Sequence, residues 1–130
     1  MAKYRSFTEM KVWKLSKKLA GAVYHATSNP NFSRDWSLRD QMRKAAVSIP
    51  GNIAEGFERG GTGEFIQFLS VAKGSAGELI TQLHIALDVG YLEGDEFNEL
   101  EAWAKEVGAM LGGLIKYLGK SGVKGSKYRV

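Results

Sequence analysis

Apolar residues return every three or four positions along four stretches of this chain, the spacing of a buried helix face. In the first, Val12, Leu15, Leu19 and Val23 set the stripe, and Trp13, Ala20 and Tyr24 widen it. Thr8 reads as its N-cap, with Glu9 in the first turn, where negative charge suits the helix dipole. Asn29-Pro30-Asn31 ends it, because the residue before a proline avoids the helical region. Phe32 and Trp36, in the linker that follows, are expected to fold back onto the bundle. Ser37 reads as the next cap, ahead of Leu38, Met42, Ala45, Ile49, Ile53 and Phe57. Arg59-Gly60-Gly61 breaks that helix.

Thr62 then caps a third helix, from about Gly63 to Val89, whose inner face runs through Phe65, Leu69, Ala72, Ala76, Leu79 and Leu83. Asp95 caps a fourth, with Phe97, Leu100, Trp103, Val107, Leu111, Leu114 and Leu118 on its stripe. No stretch alternates with the period of a strand. The expected fold is all-α, an antiparallel up-down four-helix bundle over residues 1–118, followed by a flexible basic tail at 119–130.

Two stretches interrupt the apolar pattern. In Ser48-Ile49-Pro50-Gly51-Asn52-Ile53-Ala54-Glu55-Gly56, Ile49 and Ile53 keep the stripe while Asn52 falls at its edge. A polar amide there needs a hydrogen-bond partner, expected on a neighbouring helix. Pro50 removes one backbone donor and is expected to bend the helix or open a solvated turn. Gly51 and Gly56 admit another backbone, and Gly74-Ser75-Ala76-Gly77-Glu78-Leu79 offers the small surface it would pack against. Asn52, Glu55, Gly56, Ser75 and Glu78 therefore read as a structural polar and close-packing motif.

Composition narrows the class. The chain has 130 residues, 44% of them hydrophobic, as one globular domain requires. It has no cysteine, so neither disulfides nor thiolate metal sites are available. No run approaches the roughly 20 apolar residues of a membrane span, and residues 1–7 lack a secretory core. A soluble, cytoplasmic protein is expected. The net charge of +4 is unevenly distributed. Residues 1–59 carry 11 basic and 5 acidic side chains, 60–106 carry 2 and 9, and 107–130 carry 5 and none. Segregation of this kind suits either a polyanionic partner or association between opposite patches of the same chain.

The residues also resemble a known family. Gln41-Met42-Arg43-Lys44-Ala45-Ala46 followed by Ser48–Gly56 resembles its central signature. Glu64-Phe65, Phe68-Leu69, Ala72 and Gly74-Ser75 with Glu78-Leu79 resemble its second block. Phe7 with Val12-Trp13-Lys14 resembles its opening, and Gly90-Tyr91-Leu92 its late turn. The family is that of the small four-helix-bundle proteins encoded in intervening sequences of bacterial large-subunit ribosomal RNA genes. The likeness spans Phe7 to about Leu118. It implies a homopentameric ring, and kinship with retroelement accessory proteins that bind nucleic acid and a reverse transcriptase. No enzymatic activity follows from it.

The residues themselves point the same way on chemistry. Di-iron bundles use a Glu-x-x-His pair on each of two helices. Here the positions three before His25 and His84 are Ala22 and Thr81. Glu55 and Glu78 alone would hold magnesium only weakly. Ser48 and Ser75 sit in no nucleophile elbow, and Arg59-Gly60-Gly61-Thr62-Gly63 lacks the Gly-Lys-Ser/Thr ending of a phosphate loop. No metal, cofactor or catalytic residue is assigned.

The functional candidate is the basic arc of the first helix, Lys11, Lys14, Lys17 and Lys18, flanked by His25. Arg39, Arg43 and Lys44 on the second helix extend it. Lys120, Lys124, Lys127 and Arg129 in the tail do the same, with Tyr128 able to stack on an unpaired base. The expected function is non-enzymatic binding of structured RNA or a ribonucleoprotein, salt-sensitive and largely indifferent to sequence. The alternative is a scaffolding homo-oligomer that recruits a protein partner, its acidic helices meeting a neighbour's basic ones.

Overall fold

The computed structural model describes residues 4–121, the side chain of Ser121 excepted. A 3-10 turn at Phe7–Glu9 leads into α1 (Lys11–Ala26), and a four-residue helix α2 (Pro30–Ser33) follows. Three long helices complete the described residues: α3 (Trp36–Arg59), α4 (Thr62–Asp88) and α5 (Gly94–Ser121). The described residues include no strand. No helix among them is long and apolar enough to cross a membrane.

The four long helices form a bundle around one core. α3 packs against α1 and α4, α4 against α5, and α5 closes back on α1. The predicted stripes supply that core. Leu19, Val23, Met42, Ile49, Ile53, Leu69, Leu79, Leu83 and Leu111 are all buried. Phe57 near the end of α3 meets Phe65 near the start of α4 edge to face, with 6.0 Å between ring centres. Phe7 joins them from the opening turn, 6.4 Å from Phe57 and 5.3 Å from Trp13. Trp103 of α5 donates its indole N–H to the Leu15 carbonyl of α1 at 3.2 Å.

The helix starts differ from the sequence reading in a consistent way. Ser6, rather than Thr8, opens the chain: its Oγ accepts from the Thr8 N–H at 3.1 Å while Glu9 Oε1 accepts from the Arg5 and Ser6 N–H groups at 2.8 and 3.0 Å. This is a reciprocal capping box, and it tethers a 3-10 turn ahead of α1. The two backbone donors hold the Glu9 carboxyl below its ordinary value of 4.5. At α3 the cap is Asp35 instead of Ser37, its Oδ1 accepting from the Leu38 N–H at 3.1 Å. Thr62 and Asp95 lie inside the first turns of α4 and α5 rather than capping them.

The connections explain why. Gly60 ends α3 in the left-handed region at φ 85, where only glycine is unstrained. Gly90 (φ 82) ends α4 the same way, with the Tyr91 N–H reaching back to the Ala86 carbonyl at 2.8 Å. That turn aims Tyr91 at Phe32, 5.1 Å between ring centres, and its hydroxyl donates to Asp35 Oδ2 at 3.0 Å. The bond to the Asp35 carboxylate holds the Tyr91 phenol above its ordinary value of 10.0. Asp35 thus caps α3 and anchors the α4–α5 turn together. Phe32 is fully buried beneath Tyr91, as the linker reading expects, but Trp36 is 67% exposed and does not fold back. α3 continues without a break through Pro50, and α5 runs past the expected boundary at 118 to Ser121.

Candidate functional site

The basic residues separate into those free for a partner and those already engaged. Lys11, Lys14, Lys17 and Lys18 are all exposed along α1. None of the four makes an ion pair with a carboxylate among the described residues. Lys17 lies over the Trp13 ring, 5.5 Å from its centre, which keeps the ammonium at the surface. Lys44 and Lys120 are exposed as well. Lys124, Lys127 and Arg129, with Tyr128, lie outside the described residues.

The two arginines of α3 are placed otherwise. Arg39 pairs with Asp40 at 3.1 Å. Arg43 reaches across to the last turn of α1, where its Nε donates to Thr27 Oγ1 at 2.8 Å and Nη2 to Ser28 Oγ at 3.3 Å. Its guanidinium stacks on Tyr24, 4.6 Å from the ring centre. A cation at a helix C-terminus is favoured by the dipole, and five donors on a planar fork allow several contacts at once. Arg43 clamps α1 to α3 and is not a free cation of the surface.

The signature stretch builds the seam between α3 and α4. Gly56 is buried there, and a Cβ on it would lie 2.6 Å from Phe68 Cβ and 3.0 Å from Phe65 Cδ1. No real side chain tolerates that approach, so glycine is required. Elsewhere on the same seam, the Ser75 hydroxyl of α4 meets Ser48 Oγ of α3 at 2.8 Å. Asn52 does not find its partner on another helix, as the sequence reading expects. Its Nδ2 instead donates to the Ser48 carbonyl and Oγ, at 2.8 and 2.9 Å, one turn back on α3. Ser48 is the residue that carries the crossing. Its signal was available: a small polar residue four before Asn52, on the edge of the same stripe.

Glu55 belongs to the α3–α4 turn. It holds Arg59 at 3.1 Å, and that guanidinium also faces Glu64 at 3.7 Å and lies 5.1 Å from the Phe68 ring centre. Glu78 lies further along, beside a groove of about 280 Å³ between α3 and α4 that Lys44, Ser48, Ser75 and Gln82 also line. Among the described residues no three His, Asp or Glu side chains gather around one point that could hold a metal.

A helical bundle with a lysine-lined first helix and a serine-bridged α3–α4 seam is the class that fold and site define. Residues 8–113 match the family described as 23S rRNA-intervening sequence protein, and the chain belongs to that family. Among solved structures, it is similar to a Bacteroides thetaiotaomicron protein of unknown function from the S23 ribosomal protein family. The TM-score is 0.75 at 21% identity, covering 81% of this chain and 98% of that one. At that identity the likeness concerns the fold alone. The chain matches no curated protein.

Proposed function

We propose that this protein is a non-enzymatic, antiparallel up-down four-helix bundle that assembles into a homopentameric ring in the cytoplasm and binds structured RNA or a ribonucleoprotein. The observation that carries the reading is the row of four exposed lysines on α1, none paired with a carboxylate among the described residues. Phosphate oxygens are the ligands such a row suits, and each neutralised phosphate releases condensed counterions. Lys120 adds charge, whereas Arg43 and Arg39 are engaged within the chain. In a ring the row is repeated by symmetry, so contacts that are weak singly combine.

The test is fluorescence anisotropy of labelled RNA and DNA hairpins against the full chain, at low and near-physiological salt. Binding that weakens steeply with salt is expected. Each α1 lysine changed to glutamine should reduce the log–log salt slope by about 1 wherever that lysine neutralises a phosphate. An unchanged slope in the Lys11, Lys14, Lys17, Lys18 variant would remove α1 as the binding surface. Absence of binding even at low salt would overturn the nucleic-acid reading altogether.

A further inference from the structure

Six large apolar side chains are exposed among the described residues. Five of them, Trp36, Val47, Val71, Ile85 and Val89, belong to α3, α4 or the residue that ends α4. Helical spacing puts Val71, Gly74, Glu78 and Ile85 on one stripe of α4, and Lys44, Val47 and Gly51 on one stripe of α3. The groove of about 280 Å³ lies between these two helices, with Lys44 and Glu78 among its lining residues.

Three features of this face go uncompensated among the described residues. The first is glycine. A Cβ on Gly51 or Gly74 would meet nothing within 4 Å, so neither glycine serves internal packing. Each costs about 1 kcal/mol relative to alanine in a helix interior, and the usual compensation is the close approach of another backbone. The second is Gln82, only 6% exposed and lining the groove, whose Oε1 has no hydrogen-bond partner there. Buried polar atoms are rarely left so. The third is the pair Lys44 and Glu78, neither of which has an ion-pair partner among the described residues.

We propose that a second copy of this chain docks here, so that the seam between subunits runs along the outer side of α3 and α4. This rests on the homo-oligomer reading above and names the surface that makes it. Charge selects the occupant. Glu58, Glu78 and Asp88 are exposed on these two helices, which disfavours a polyanion. The same chain carries both complements: residues 1–59 hold 11 basic and 5 acidic side chains, and 60–106 hold 2 and 9. A neighbour can therefore answer Lys44 and Glu78 at once and bring a donor to Gln82. Its backbone or small side chains fill the space above Gly51 and Gly74.

The experiment is sedimentation velocity on the full chain at micromolar concentration, comparing wild type, Val71→Asp with Ile85→Asp, Gly74→Arg, and Lys14→Glu with Lys18→Glu. Circular dichroism of each reports the fold. Wild type and the lysine variant should sediment as the same assembly. The other two should sediment as folded monomers, with association weakened about a hundred-fold or more, by carboxylates buried without a partner in the first and by a long side chain filling the space another backbone needs in the second. Should the double aspartate variant unfold, Gly74→Arg decides alone, since its site is open space in the single chain. If wild type assembles and Gly74→Arg assembles equally, this face is not the seam, while the homo-oligomer stands. If wild type is monomeric throughout, the homo-oligomer reading and this assignment both fall.

Discussion

The two sides of the α3–α4 pair treat glycine in opposite ways. On the inner side, Gly56 is the point where two helices come too close for any side chain, with Phe68 Cβ 2.6 Å from where a Cβ would stand. On the outer side, Gly74 sits in an equally helical backbone with nothing within 4 Å of the same position. Polar groups follow the same division. Ser48, Ser75 and Asn52 satisfy one another within the seam, whereas Lys44, Glu78 and the Gln82 carbonyl around the groove find no partner among the described residues. The inner seam is complete in one chain. The outer face, with its exposed valines and isoleucine, is half of an interface under the assignment above. Two residues of the same type in one helix pair thus have different reasons for being there, and only their neighbours separate them.

That contrast is sharpest at Gly56. Gly56→Val should be the most damaging change, lowering stability by about 3 kcal/mol, the upper end of ordinary overpacking, because Phe65 and Phe68 press on the site from the facing helix. Urea unfolding of the variant measures it, and a loss below that of the changes that follow would mean the seam can open. Arg43→Ala comes next, at about 2 kcal/mol, since it leaves the last turn of α1 without the charged donor on Thr27 and Ser28. The same change should leave RNA affinity nearly as it was, which separates a clamp from a phosphate ligand.

Ser75→Ala should cost about 1 kcal/mol in a thermal or urea titration. The loss is limited because Ser48 keeps its bond from Asn52. Gly74→Ala should act in the other direction. It raises the stability of the single folded chain by up to about 1 kcal/mol through helix propensity, and a destabilised single chain would contradict the open-face assignment. The smallest expected effect is at the opening turn. Glu9 has a carboxyl held below its ordinary value, so its contribution is present above pH 4.5 and is lost as pH falls through the lower folded-state value. Glu9→Gln should flatten that part of an acid unfolding curve.

The four long helices are legible in the sequence because their apolar residues repeat at 3.6 positions, and burying that stripe is the dominant favourable term. Their starts are less so. Ser6-Phe7-Thr8-Glu9 does contain the capping-box pattern, but Thr8 stands closer to the first apolar residue and reads as the cap. Asp35 displaces Ser37 because its second oxygen serves Tyr91, a residue 56 positions away that no local pattern reveals. Among the site residues, Gly56 and Ser75 read as close-packing and polar positions and stand so. Arg43 reads with the lysines since it shares their charge. Its role depends on Thr27 and Ser28 lying opposite, which is a property of the folded pair.

By itself the sequence determined the all-α class, the identity of the buried faces, the glycine turns at Gly60 and Gly90, and the family. Each of these rests on periodicity, on backbone freedom or on motifs read along the chain. Only the tertiary structure decided which glycine is enclosed and which is open, which polar residue carries the crossing, and which cations remain available. Those are questions of what stands within a few ångströms across the bundle. There the partners come from residues tens of positions apart, and the close-range forces that settle them depend on distance rather than on order in the chain.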